Sequence, residues 1–187
     1  MRLLDLPGML GVVVGLAALH AVAAPVDGQV LGAGAPIANA TVTLWQAGSG
    51  APRQLAQARS GADGRFALAA PDAPLTEGSL YLVAKGGTPT AGKGSGDNPA
   101  IAMLTVLGAK APPRVTINEM TTVASVWTHN QFIDGEAIKG QPLQLKIAAG
   151  NVPGFLRTFQ QVPIAAGDLR GTIEEVRGDG VVGEQPR

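Results

Sequence analysis

From Val26 to Ile117 the chain alternates short apolar stretches with Gly, Pro, Asn and Asp, the pattern of strands joined by tight turns. Thr41, Thr43 and Trp45 interleave with Val42, Leu44 and Gln46. That period of two predicts a half-buried strand with Val42 and Leu44 turned inward. Arg53 to Arg59 predicts the next strand, and Gly61-Ala62-Asp63-Gly64 a turn. Arg65 to Ala69 is expected to be its hairpin partner, with Phe66 and Leu68 on the buried face; Asp-Gly suits such a turn because glycine accepts a positive φ. Pro71-Asp72-Ala73-Pro74 interrupts pairing, since proline has no amide proton. Leu80 to Ala84 is apolar without alternation, which predicts a strand covered on both faces. A glycine-rich loop is expected over Gly86 to Pro99, then strands over Ile101 to Leu107 and Val115 to Ile117, divided by Ala111-Pro112-Pro113. About seven strands in about ninety residues is the density of an all-β sandwich.

The period changes at Asn118. This residue can cap a helix whose expected apolar face is Met120, Val123, Ala124 and Trp127, ending near Phe132 or Ile133 before Asp134-Gly135. The run is rich in Thr and Val, so a strand competes, but its length favours a helix. On this reading Trp127 docks onto the sandwich. A second helix is expected from Pro142, with Leu145, Ala148, Ala149 and Val152 on one face and Gly150 and Pro153 limiting its length. Beyond Phe155 the pattern fades, and Gly167 to Arg187 reads as an exposed tail.

The N-terminal apolar stretch has a different meaning. Arg2, the apolar run from Met9 to Leu19 and the small residues Ala21 to Ala24 occur in the order of a cleavable secretory leader. The run is shorter than the roughly 20 residues that cross a bilayer, so no stable membrane span is expected after cleavage. The expected division is a leader over 1–24, a sandwich over 25–118, a helical segment over 119–156 and a weakly structured tail over 157–187. Such a leader places the protein outside the cytoplasm, in the periplasm, at the cell surface or secreted. Export permits disulfides, yet the chain has no Cys, so the fold rests on burial and backbone hydrogen bonding. Its 14 basic and 14 acidic residues create no large single-sign field, which argues against nucleic acid and against an anionic membrane as partners.

Val26-Asp27-Gly28-Gln29-Val30, the segment from Ala35 to Leu44 and the segment from Ser60 to Leu68 together resemble the carboxypeptidase regulatory-like domain, a transthyretin-like fold. The resemblance implies a Greek-key, Ig-like sandwich that binds, braces or spaces and does not catalyse. The blocks Asp97 to Leu104, Thr116 to Trp127 and Leu145 to Pro153 resemble a group of secreted bacterial proteins in which the sandwich is followed by a helical segment and sometimes a propeller. No propeller repeat is present in this sequence. The resemblance implies an exported binding, scaffold or spacer module. The alternative is an accessory or truncated part of a larger secreted enzyme or propeller protein.

The residues themselves offer little reaction chemistry. Ser125 and His129 are spaced to share a helical face, but no oxyanion motif accompanies them, and packing is the expected role. One histidine after cleavage and no cysteine exclude an ordinary multi-histidine or thiolate zinc site, and no cofactor is expected. Asp63, Asp97 and Asn98 could contribute oxygens to calcium, but turn formation explains them better. Gly86-Gly87 and Gly92-Lys93-Gly94-Ser95-Gly96 lack phosphate-loop spacing, and Glu174-Glu175 reads as a solvated pair. Trp45 and Tyr81 are the candidate ligand contacts, since an aromatic face can stack on a sugar ring, but packing in the core or at its boundary is the expected role of both. The expected partner is carbohydrate or protein at the cell surface.

Overall fold

The computed structural model describes residues 23–91 and 96–161; the expected leader up to residue 22, the Gly92–Ser95 stretch and the chain beyond residue 161, with Glu174-Glu175, lie outside the described residues. The strands are β1 (Ala23–Gly32), β2 (Ala35–Ala38), β3 (Thr41–Ala47), β4 (Arg53–Arg59), β5 (Arg65–Pro71), β6 (Ser79–Lys85), β7 (Thr88–Pro89), β8 (Ala102–Gly108) and β9 (Arg114–Ile117). Helix α1 (Glu119–His129) and a 3-10 turn (Asn130–Phe132) follow. A two-stranded hairpin, β10 (Ile133–Asp134) and β11 (Ala137–Ile138), then leads into helix α2 (Pro142–Gln161).

Two sheets pack face to face. One has the order β5-β1-β2-β7 with β9 paired to β1, and the other β4-β3-β6-β8. All these pairings are antiparallel except β1 with β9. Val26 and Val30 of β1, Ile37 of β2, Phe66 and Leu68 of β5 and Ile117 of β9 meet Val42 and Leu44 of β3 and Leu80 and Leu82 of β6 in the shared core. Gly28 faces this core beside its β5 partner Phe66, and a Cβ at position 28 would run into the phenyl ring. The glycine is there because the aromatic ring fills its place.

The outer face of the four-stranded sheet carries a second core. Tyr81 and Val83 of β6 and Val106 of β8 pack with Ala124 of α1, Phe132, Ile138 of β11, and Leu145, Ala148 and Val152 of α2. Six of the seven residues of β6 are therefore buried, as its unbroken apolar run predicts.

Several expectations change. The described sandwich has nine strand segments rather than seven, because short β2 and β7 join the larger sheet. The Asp63-Gly64 turn does not close a hairpin: β4 pairs with β3, while β5 pairs with β1 in the other sheet. The turn is a corner between sheets. Buried Ser60 ties it down, donating from Oγ to the Ile37 carbonyl at 2.7 Å and accepting from the Ala40 N–H at 2.9 Å.

Asn118 caps α1 as expected, with Oδ1 accepting from Thr121 N–H at 2.9 Å and Thr121 Oγ1 accepting from Asn118 N–H at 3.0 Å. The buried residues of α1, however, are Ala124, Ser125 and His129; Met120, Val123 and Trp127 are exposed, Trp127 by 70%. The cause is the edge of the sheet. Strand β8 ends the four-stranded sheet with unpaired N–H groups, and α1 supplies the acceptors: Leu104 N–H donates to Thr122 Oγ1 at 3.1 Å and Val106 N–H to Ser125 Oγ at 2.9 Å. The hydroxyl side of the helix therefore turns inward and its larger apolar side outward. Helix α2 also runs past Gly150 and Pro153 to Gln161, beyond the expected boundary at residue 156. Both residues are on the exposed side of α2, where water can serve the carbonyl that proline leaves unbonded.

Candidate functional site

The helical layer covers the β6–β8 side of the four-stranded sheet and leaves a groove over β3 and the end of β6. It has a volume of about 390 Å³, with Trp45, Pro52 and Thr43 on one side and Asp134, Glu136 and Ala137 of the β10–β11 hairpin on the other. Alternation places Thr43, Trp45, Tyr81, Val83 and Lys85 on this outer face, with Trp45 opposite Tyr81 across β3 and β6. Gln57 of β4 donates from Nε2 to Thr43 Oγ1 at 3.1 Å, extending the polar surface toward the sheet edge.

The two candidate aromatics have different roles. Trp45 is half-buried and borders the groove. Tyr81 reaches the same groove but only 1% of the residue is exposed, so it has no free face for a ligand. Its hydroxyl accepts from Ile138 N–H at 3.3 Å, fixing the hairpin to the sheet. Burial pushes the phenol above its ordinary value, and the Ile138 N–H opposes that shift.

The charged rim is paired. Lys85 Nζ lies 2.8 Å from Glu136 Oε1, and Lys139 Nζ 2.6 Å from Asp134 Oδ2. The hydrogen bond and charge of Lys139 hold the Asp134 carboxyl below the usual carboxylate range. Each carboxylate retains further lone pairs that can accept from hydroxyl groups. Pro52, Lys85, Asp134 and Glu136 were not expected at a site. Only Asp134-Gly135 carries a visible signal, a turn, and nothing in the residue pattern shows that this turn folds back over β3.

The remaining candidates have structural explanations. Ser125 and His129 are both fully buried. Ser125 Oγ accepts from the β8 edge, and His129 Nδ1 lies 3.2 Å from the Ser125 carbonyl and 2.9 Å from Thr128 Oγ1, so the pair does not form a hydroxyl–imidazole couple. His129 Nε2 has no partner in hydrogen-bonding geometry, although the Leu145 backbone is close enough to favour the charged ring slightly. Desolvation dominates and pushes the imidazole below its ordinary pKa of 6.5. Asp63 Oδ1 accepts from Arg65 N–H at 3.0 Å, Asp97 Oδ1 from Gly87 N–H at 2.6 Å and Asn98 Oδ1 from Ala100 N–H at 3.1 Å. Asp63 and Asn98 each close a local turn, and Asp97 ties the far side of the glycine-rich loop back to Gly87. Among the described residues no group of three or more His, Asp or Glu could hold a metal ion.

No protein-family model and no curated protein sequence matches the chain. Among solved structures, a 9R-lipoxygenase from Cyanothece PCC8801 aligns over 52% of this chain and 16% of its own length, at 17% identity and a TM-score of 0.28. A likeness of that size carries no argument about fold or activity.

Proposed function

We propose that the protein is an exported, non-catalytic binding module of the transthyretin-like, carboxypeptidase regulatory-like kind, with Greek-key strand order, and that its ligand is carbohydrate at the cell surface. One observation carries the ligand reading: Trp45 borders an open groove whose opposite rim presents Asp134 and Glu136. A sugar ring offers C–H groups to the indole and hydroxyls to the carboxylates, so one ligand satisfies both sides of the groove. Tyr81 supports the floor instead of contacting the ligand. The leader pattern supports export, and the burial of Ser125 and His129 in separate structural bonds supports a role without catalysis.

A glycan array followed by calorimetry tests this reading. Binding of a neutral oligosaccharide is expected, and Trp45→Ala should weaken it roughly tenfold or more; because Trp45 also packs against the second core, the far-ultraviolet spectrum of the variant checks that the fold is retained. Glycan binding unaffected by Trp45→Ala and Glu136→Ala would move the site elsewhere. Turnover of ester, peptide or glycoside substrates by the purified protein would reject the non-catalytic role.

A further inference from the structure

The Trp45 groove does not end at Lys85. This lysine also lines a second groove, about 830 Å³ in volume, together with Asn39, Thr41, Arg59, Thr88 and Asp97. Strand register explains the continuity. On the outer face of the four-stranded sheet Thr41 lies opposite Arg59 of β4 and Lys85 of β6, Thr43 opposite Gln57 and Val83, and Trp45 opposite Tyr81. Thr41, Thr43 and Trp45 therefore form one line along β3, roughly 14 Å long at the rise of an antiparallel strand. That is longer than one pyranose ring. Beyond Lys85 the wall is fixed in place, because Asp97 Oδ1 accepts from Gly87 N–H at 2.6 Å.

The second groove has a different chemistry from the first. Its lining offers hydroxyls from Thr41 and Thr88, an amide from Asn39 and the guanidinium of exposed Arg59, all groups that hydrogen-bond to sugar hydroxyls. Among the described residues its lining contains no aromatic, so it can add hydrogen bonds but no stacking. Along the joint path Arg59 and Lys85 are met by Asp97, Asp134 and Glu136, and Asp134 is paired with Lys139. Neither sign dominates, which favours an uncharged polyhydroxylated chain over an anionic one. We propose that the two grooves form one extended site for a neutral oligosaccharide, with one sugar stacked on Trp45 and the following sugars hydrogen-bonded by Thr41 and Arg59 beyond Lys85. This inference rests on the carbohydrate reading of the Trp45 groove and adds to it the length of chain that is recognised.

The test is calorimetry with ladders of malto-, cello- and N-acetylated chito-oligosaccharides, each from one to six units, and with oligogalacturonate as an acidic control. For a ladder that binds, affinity should rise roughly tenfold or more from the disaccharide to the tetrasaccharide and then level off. Arg59→Ala and Arg59→Gln should each remove that gain and leave the disaccharide unaffected, whereas Trp45→Ala should weaken every length. Arg59 is exposed at the end of β4, so both of its variants should keep the parent far-ultraviolet spectrum and melting curve. Affinity that does not depend on length, or a gain that survives both Arg59 variants, overturns the extended site and leaves the Trp45 groove standing. Tighter binding of oligogalacturonate than of every neutral ladder overturns the neutral ligand. Binding of no ladder, or binding indifferent to Trp45→Ala, overturns the extended site and the Trp45 groove together.

Discussion

His129 and Ser125 sit one helical turn apart, yet each is tied to a different part of the molecule. The imidazole is sealed between α1, Phe132 and α2, where burial dominates and the Ser125 and Leu145 backbones oppose it. Its folded pKa is lowered, so below pH 6.5 the unfolded chain takes up a proton that the folded chain resists. Stability should therefore fall as pH drops through that value and level off once pH lies below the lowered folded pKa. Urea denaturation across this range should show the decline, and His129→Gln should flatten it; an unchanged slope would assign the effect to other groups. Ser125 acts on the sheet. Ser125→Ala would leave the buried Val106 N–H without its acceptor and should cost about 1 to 3 kcal/mol by chemical denaturation. Gly28→Ala forces a methyl against Phe66 and should cost about 1 to 3 kcal/mol, with recovery when Phe66 is also shortened to Leu.

At the scale of elements, the strand pattern was the most readable part of the sequence. Alternation at Thr41 to Gln46 and the unbroken run at Leu80 to Ala84 each express a burial state directly, and Asn118 announces the start of α1 through a local bond. The orientation of α1 was not legible. Hydrophobicity points to Met120, Val123 and Trp127, but the inward face is decided by the N–H groups of β8, which the helix sequence does not reveal. The same limit hides the candidate groove: Trp45 stands out as an aromatic, but its opposite wall comes from a hairpin with two-residue strands. Helix α2 shows a related failure, since Pro153 is a stop signal locally while packing of Leu145, Ala148 and Val152 sustains the helix around it. Pro153→Ala should then stabilise the protein by about 1 to 3 kcal/mol, because the helix already exists and only the proline penalty is removed. Destabilisation would show that the native α2 geometry depends on the ring.

At the scale of the whole molecule, the four-stranded sheet joins the two cores. Leu80, Leu82 and Ala84 of β6 face the sandwich interior, while Tyr81 and Val83 on the same strand face the helices. Undocking the helical layer would expose one side of β6 and leave the Leu104 and Val106 N–H groups without their hydroxyl acceptors. Loss of the sandwich would remove the surface on which α1 and α2 pack. The helical layer has no interior apart from the sheet, since Tyr81, Val83 and Val106 supply part of its core, so both layers should unfold in one cooperative transition despite their different secondary structure. The two tryptophans make this measurable, because Trp45 lies on the sheet and Trp127 on the helical layer. In Trp127→Phe and Trp45→Phe variants, each with one remaining reporter, the fluorescence midpoints should coincide with the far-ultraviolet transition of the same variant. A Trp127 transition that precedes loss of strand signal would instead show that the helices detach first and that the sandwich stands without them.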